Sequence, residues 1–282
     1  MPVRGPARAQ PLRCHALLQD APLRTAIISD IHSNLAALEA VLADIEHRKV
    51  DRMACLGDII GYGPDPVACA DLVAKHCEWS LMGNHDFGVL YEPTNFNSAA
   101  EQAAYWTRRQ FERASQQDPE AGRERWNFLG HLRVRVNDNG YLCVHGTPRR
   151  PINEYLFPDD AVNNPQKLAS IFDRFDTVCF VGHTHVPGVF TDDGEFYRPD
   201  ELTDHVFLID PGVKAIINPG SVGQPRDNDP RAAYAILDTE HPSGKHAVEF
   251  HRLPYDVEMT IDKIHAIPEL NDWLGDRLRE GR

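Results

Sequence analysis

Five short polar clusters interrupt the sequence, each beginning where an apolar, strand-like run ends: Asp30-Ile31-His32, Gly57-Asp58, Gly83-Asn84-His85-Asp86, His145-Gly146 and Gly182-His183-Thr184-His185. Side chains scattered in this way need a fold that brings separate strand ends to one edge. An α/β sheet does so, because its ligand-binding loops gather at the strand termini. Glycines within the clusters let the backbone turn sharply beside such a site. Taken singly, each cluster also fits a polar turn, a helix cap or a satisfied core histidine. Gly-His-Thr-His is more specific, since two histidines one residue apart at a strand end suit metal coordination. Together the clusters offer Asp, His and Asn without a thiolate, the donor set of a hard-to-borderline divalent metal and not of a structural zinc knot.

The runs between the clusters carry α/β periodicity. Thr25 to Ser29 reads as a buried strand, and Leu35, Leu38, Leu42 and Ile45 follow at helical spacing behind Ser33 or Asn34 as N-cap. Arg52 to Leu56 is a second strand, Asp65-Pro66 opens a helix reaching Cys77, and Trp79 to Met82 is a third strand. Phe96 to His131 is helical throughout and reads as an insertion, with a capping box at Ser98 and Glu101 and a second start at Asp118-Pro119. A hairpin (Leu132 to Val136, turn Asn137 to Gly140, Tyr141 to Val144) and a strand from Thr177 to Val181 follow. The short strands after that, at Gly188 to Phe190, Val206 to Ile209, Lys214 to Ile217, Ala232 to Leu237 and Ala247 to His251, suggest a second, more antiparallel sheet. Val257 to Arg282 spaces Ile261, Ile264, Leu270, Leu274 and Leu278 as amphipathic helical segments.

A length of 282 residues suits one catalytic domain with short appendages. The expected division is a disordered tail at 1–23, a catalytic domain at 24–256 with its helical insertion at about 96–131, and a C-terminal helical extension at 257–282. Arg4, Arg8 and Arg13 precede any acid and faintly resemble a transit peptide, but Pro2, Pro6 and Pro11 break any helix there. A net charge of −13 argues against broad nucleic-acid binding, and no apolar run approaches the ~18 residues of a membrane span. Cys55, Cys143 and Cys179 lie inside apolar strands, where free thiols pack as small hydrophobes, so a reducing, cytoplasmic setting is expected.

In order and spacing the clusters resemble the calcineurin-like metallophosphoesterase superfamily, most of all its bacterial phosphodiesterase branch, over residues 28–185. Asn218-Pro219-Gly220-Ser221, with Arg226 after it, is similar to a rim loop common in that branch. The resemblance implies a four-layer α/β/β/α sandwich of two mixed β-sheets flanked by helices. It implies two divalent ions, one held by Asp30, His32, Asp58 and His185, the other by Asp58, Asn84, His145 and His183, with Asp58 bridging. Mn or Fe is expected first, and Zn, Ni or Co also suit these donors. The implied reaction is hydrolysis of a phosphate ester by a metal-bridging hydroxide, with His85 as general acid or phosphate-binding cation.

Protein phosphatases of the superfamily carry Gly-Asp-x-x-Asp-Arg-Gly where this chain has Gly57-Asp58-Ile59-Ile60-Gly61-Tyr62-Gly63. The carboxylate that orients their histidine is missing, and Asp65 or Asp86 is the expected substitute. Tyr62 and Met82 stand where those enzymes place phosphate-binding arginines, which points to phosphodiesters. Arg149, Arg150, Arg226 and Tyr62 are the candidate substrate contacts, with Tyr155 as a further aromatic. The remaining readings are a protein Ser/Thr phosphatase, a dinucleoside tetraphosphate hydrolase and a non-catalytic metal-binding scaffold.

Overall fold

Strand β1 (Arg24–Ile28) and β2 (Arg52–Cys55) pair in parallel, Thr25 against Arg52, because the helix between them, α1 (Leu35–Arg48), carries the chain back across one face. The computed structural model describes residues 23–282, so the tail predicted at 1–23 lies, but for its last position, outside the described residues. Asn34 caps α1, its side chain accepting from the Ala37 amide. Helix α2 (Pro66–His76) leads to the short β3 (Trp79–Ser80), parallel to β2. Next come α3 (Asn84–Leu90), α4 (Ser98–Gln117) and α5 (Pro119–Gly130). The second half holds β4 (Val136–Asp138), β5 (Tyr141–Cys143), α6 (Asp160–Asn163), α7 (Pro165–Phe172), β6 (Val178–Phe180), β7 (Gly188–Thr191) and β8 (Phe196–Tyr197). It ends with β9 (Val206–Ile209), β10 (Ala215–Asn218), β11 (Ala232–Asp238), β12 (His246–Leu253), α8 (Val257–His265) and α9 (Trp273–Asp276).

The sheets run β3-β2-β1-β11-β12-β9 and β4-β5-β6-β10-β7-β8. The late strands therefore do not make a sheet of their own, as their sequence suggested. Strands β9, β11 and β12 complete the first sheet and β7, β8 and β10 the second, so both are mixed. The reason is visible in β11, which is buried on both faces. Tyr234 and Ile236 face the helices, while Ala235 and Leu237 face the other sheet, which makes β11 a central strand antiparallel to β1.

Alternation of this kind builds the four layers. Ala26 and Ile28 pack outward with Leu38, Val41 and Val73, whereas Ile27 packs inward with Leu56, Phe180, Ile217 and Val248 between the sheets. Leu142, Val144 and Ile216 pack against Leu168 and Ile171 of α7 on the far side.

Three local expectations are corrected. The cap of α4 is Asn97, whose side chain accepts from the Ala100 amide; Ser98 is already helical, so the box expected at Ser98 and Glu101 does not form. The hairpin is shorter than predicted, turning tightly at Asn139 and Gly140 with φ of 49° and 78°. Arg133, expected in that hairpin, instead bridges Leu81 in parallel and extends the edge of the first sheet. Helices α3, α6 and α7 were not foreseen.

The C-terminal segment is packed, not peripheral. Ile261, Ile264, Leu270, Leu274 and Leu278 share one apolar cluster with Tyr62 and with Ala100, Ala103 and Trp106 of α4. No helix among the described residues is long and apolar enough to cross a membrane.

Two glycines test this packing with opposite signs. A Cβ on Gly223 would lie 1.7 Å from the Ile31 carbonyl oxygen, which is backbone and cannot swing aside. Gly223→Ala is expected to destabilise by at least about 1–3 kcal/mol. Gly130 in α5 has no atom within 4 Å of such a Cβ, so Gly130→Ala should stabilise by up to about 0.5–1 kcal/mol. Urea midpoints at constant slope measure both.

Candidate metal centre

Asp30, His32, Asp58, His183 and His185 all adopt positive φ, between 50° and 68°, although none is glycine. Such conformations are sparsely populated and persist only where the surroundings over-determine them. Here backbone bonds lace the loops together: Asp30 N–H donates to Gly57 (3.0 Å), His32 N–H to Asp58 (3.0 Å) and Gly182 N–H to His145 (2.8 Å).

The result is a buried convergence of donors. His185 Nε2 lies 3.3 Å from Asp30 Oδ1 and 3.1 Å from His32 Nε2, which is itself 3.6 Å from Asp58 Oδ2. On the other side of Asp58, His145 Nε2 lies 3.3 Å from Oδ2 and 3.2 Å from His183 Nδ1. Asp30, His32, Asp58 and His185 thus form one group whose donor atoms lie within 4.8 Å of one another, and Asp58, His145 and His183 form a second. Asp58 belongs to both. Asn84, at the start of α3, has a buried side-chain oxygen with no hydrogen-bond partner, in a cavity that also exposes His183.

These residues fit a pair of cations. The Nδ1–H groups of His145 and His185 donate to the carbonyls of Leu56 and Gln224, which turns both Nε2 lone pairs inward. Burial holds His32, His183 and His185 well below the ordinary histidine range, so these rings are neutral donors. Nitrogen lone pairs about 3 Å apart repel unless positive charge lies between them. Burial disfavours a charge on His145 as well, but Asp58 and Asp30 raise it to about 9, a proton that a metal would displace.

Neither carboxylate proposed to orient His85 does so. Asp86 Oδ1 accepts from the amides of Ile59 (3.0 Å) and Ile60 (3.2 Å), and its Oδ2 from Gly83 (3.0 Å), so it ties the Asp58 loop to α3. Asp65 pairs with Lys263 at 2.8 Å. His85 is instead wedged between the rings of Tyr62 (4.2 Å between centroids) and Phe96 (4.6 Å), with Nδ1 unpartnered. Burial lowers it to about 4. Its backbone N–H donates to Asp58 Oδ1 at 2.8 Å.

The candidate substrate contacts separate. Tyr62, Arg150 and Tyr155 line a cavity of about 610 Å³ that exposes Asn84, His85 and His183. Tyr155 stacks on His183, ring centroids 3.7 Å apart. Arg226 lies 5.9 Å over the Tyr62 ring, bonded to Gln224. Arg149 turns to Glu154 (2.7 Å) and Ser170, and does not line the cavity. Phe96 went unread in sequence as a support, whereas Asn218, read there as part of a rim loop, braces the centre itself. Asn218 donates to the Gly182 carbonyl (2.8 Å) and Thr184 Oγ1 (2.9 Å), bracing the Gly-His-Thr-His loop, while Ser221 Oγ holds the Asp30 carbonyl at 2.7 Å. The Asn-Pro-Gly turn directly after a strand was the available signal.

The calcineurin-like phosphoesterase superfamily domain matches residues 23–242. The chain belongs to that superfamily. This calcineurin-like phosphoesterase is accordingly a metal-dependent hydrolase of phosphoric esters by class. It is similar to a metallophosphoesterase from Sphaerobacter thermophilus of known crystal structure, with 38% identity, a TM-score of 0.76 and coverage of 93% of this chain and 100% of that one. An uncharacterized protein of Methanocaldococcus jannaschii is 37% identical over 266 residues, 91% of this chain and 98% of its own. A hypothetical protein of Pyrococcus horikoshii shares the fold at 19% identity, with a TM-score of 0.68 and coverage of 92% and 98%.

Because Asp86 satisfies three buried amides, Asp86→Ala is expected to destabilise the phosphoesterase by about 2–4 kcal/mol, the scale of stranding buried donors. Chemical denaturation measures it, and a loss below about 0.5 kcal/mol would show that water replaces the carboxylate.

Proposed function

We propose that this phosphoesterase hydrolyses phosphodiesters, with His85 as proton donor to the departing alkoxide. The observation that carries the diester reading is Tyr62: a phenol packs against both His32 (4.8 Å) and His85 (4.2 Å), where a monoester phosphatase needs a guanidinium. Met82, the other such position, is buried and apolar. A dianion suffers more than a monoanion from the loss of two charge-assisted contacts.

Asp30, His32, Asp58 and His185 would hold one divalent ion, and Asp58, Asn84, His145 and His183 the other. Mn or Fe is favoured for a His, carboxylate and amide set. When bound, such a pair supplies a water nucleophile active near neutral pH and positive charge for the phosphoryl oxygens. The chain's own residues do the rest. Arg150, on the cavity wall, and Arg226, over the ring of Tyr62 on that same wall, are the cations placed for the substrate, and Tyr155 and Phe96 wall the cavity around one ester arm. His85 lines that wall with its Nδ1 buried against Gly61, so Nε2 is the ring nitrogen that would deliver the proton, once the bound anionic phosphate favours the imidazolium that burial disfavours. The catalytic unit is read as residues 24–256, with 257–282 closing against it. Free thiols at Cys55, Cys69, Cys77, Cys143 and Cys179 support a cytoplasmic setting.

At neutral pH the metal-loaded enzyme should cleave bis-p-nitrophenyl phosphate with a higher kcat/KM than p-nitrophenyl phosphate; preference for the monoester or for phosphopeptides would overturn the diester reading. His85→Ala should lose about 10²–10⁴-fold on alkyl esters and less on nitrophenyl esters, whose leaving groups need no proton. Equal losses on both would assign His85 to phosphate binding instead.

A further inference from the structure

Two rings hold His85, and both rest on one apolar cluster. Tyr62 and Phe96 flank the imidazole at 4.2 and 4.6 Å between centroids. Tyr62 belongs to the cluster that includes Ile264, Leu274, Leu278 and Trp106, and Phe96 packs against it. The nearby carboxylates are engaged elsewhere, Asp86 with the Ile59 and Ile60 amides and Asp65 with Lys263. Packing therefore orients the His85 ring, and whatever fixes Tyr62 fixes His85.

Tyr62 is held in a conformation it would not choose. It lies at φ 58° between Gly61 and Gly63, and only 8% of its surface is exposed. A left-handed tyrosine persists only where its surroundings over-determine it. The C-terminal segment supplies part of those surroundings. Ile264, Leu274 and Leu278 meet Tyr62 and His32 around a crevice of about 10 Å³, too small for more than one water. The same segment is fastened to the loop that follows His32. Thr260 Oγ1 donates to Asn34 Oδ1 at 2.8 Å, and Lys263 pairs at 2.8 Å with Asp65, whose amide donates to the Ser33 carbonyl at 3.0 Å. Beyond Leu278, the Asn228 amide donates to the Gly281 carbonyl at 2.9 Å. The leucines behind Tyr62 are thus pinned on both sides along the chain.

We propose that the C-terminal segment serves the reaction: Leu274 and Leu278 are positioning residues that hold His85 in its reactive orientation through the ring of Tyr62. The inference rests on His85 acting in catalysis, and it holds whether His85 delivers a proton or binds phosphate. Removing the Leu278 side chain opens a void beside Tyr62, and release of backbone strain favours movement of the ring into it. A displacement of about 1 Å at a reacting group costs up to about 10²-fold in rate.

A double-mutant cycle on full-length, metal-loaded protein tests this with methyl phenyl phosphate, a diester whose phenolate leaves less readily than nitrophenolate. Leu278→Ala should lower kcat about tenfold in the wild type, with metal content unchanged, and less than about twofold in the His85→Ala background. Leu278→Met, which conserves volume, should keep most of the activity. Equal losses in both backgrounds, no loss in the wild type, or a loss of metal would overturn the proposal, because Leu278 would then serve the fold or the cation sites and not His85. Should Leu278→Ala fail to fold, Leu278→Val runs the same cycle with a smaller void. Full activity in His85→Ala alone would remove the catalytic role of His85 and the proposal with it. If the wild type cleaves phenyl phosphate but no diester, only the diester reading fails, and the cycle on that monoester has the same two outcomes.

Discussion

The Asp58 carboxylate is the contact on which the rest of the site depends. Its Oδ2 faces His32 on one side and His145 on the other, while its Oδ1 accepts the backbone N–H of His85. One side chain therefore joins both donor groups and sets the start of the helix carrying Asn84 and His85. Its neighbours are built around it. A Cβ on Gly83 would fall 2.0 Å from Asp58 Oδ1, so only glycine lets α3 approach so closely. Asp86 then locks the Asp58 loop from behind through the amides of Ile59 and Ile60.

Such a centre is costly to assemble without cations. Asp30 and Asp58 are almost completely buried, and burial, against the opposing pull of His145 and with the push of the Asp58 charge, raises Asp30 to about 6. Four histidines crowd the same volume, and five of the converging residues hold left-handed backbone, each a strain of order 1–3 kcal/mol. Metal binding offsets these terms, which couples occupancy to stability.

What the sequence displayed was local. The β1-α1-β2 unit, the caps at Asn34 and Asp118 and the five polar clusters were legible because periodicity and cap chemistry act over a few residues. Strand partners were not. Nothing near Ala232 to Asp238 says that this strand enters between β1 and β12, since pairing is decided by burial across the whole sandwich. The four-residue α6 offers too little periodicity to read, and α3 begins inside a cluster that looks like a turn. Second contacts were hidden for a similar reason. Asp86 sits beside His85 in sequence yet points to Ile59 and Ile60, and Leu274 and Leu278 meet Tyr62 only because the C-terminal segment folds back onto α4.

The central claim is that Asp58 joins two cation sites, and metal content per chain tests it most directly. Elemental analysis of protein purified without chelator should give close to two divalent ions in the wild type, and Asp58→Asn, still folded by circular dichroism, should lose both. One firmly held ion in the wild type, or two retained in Asp58→Asn, would contradict the account.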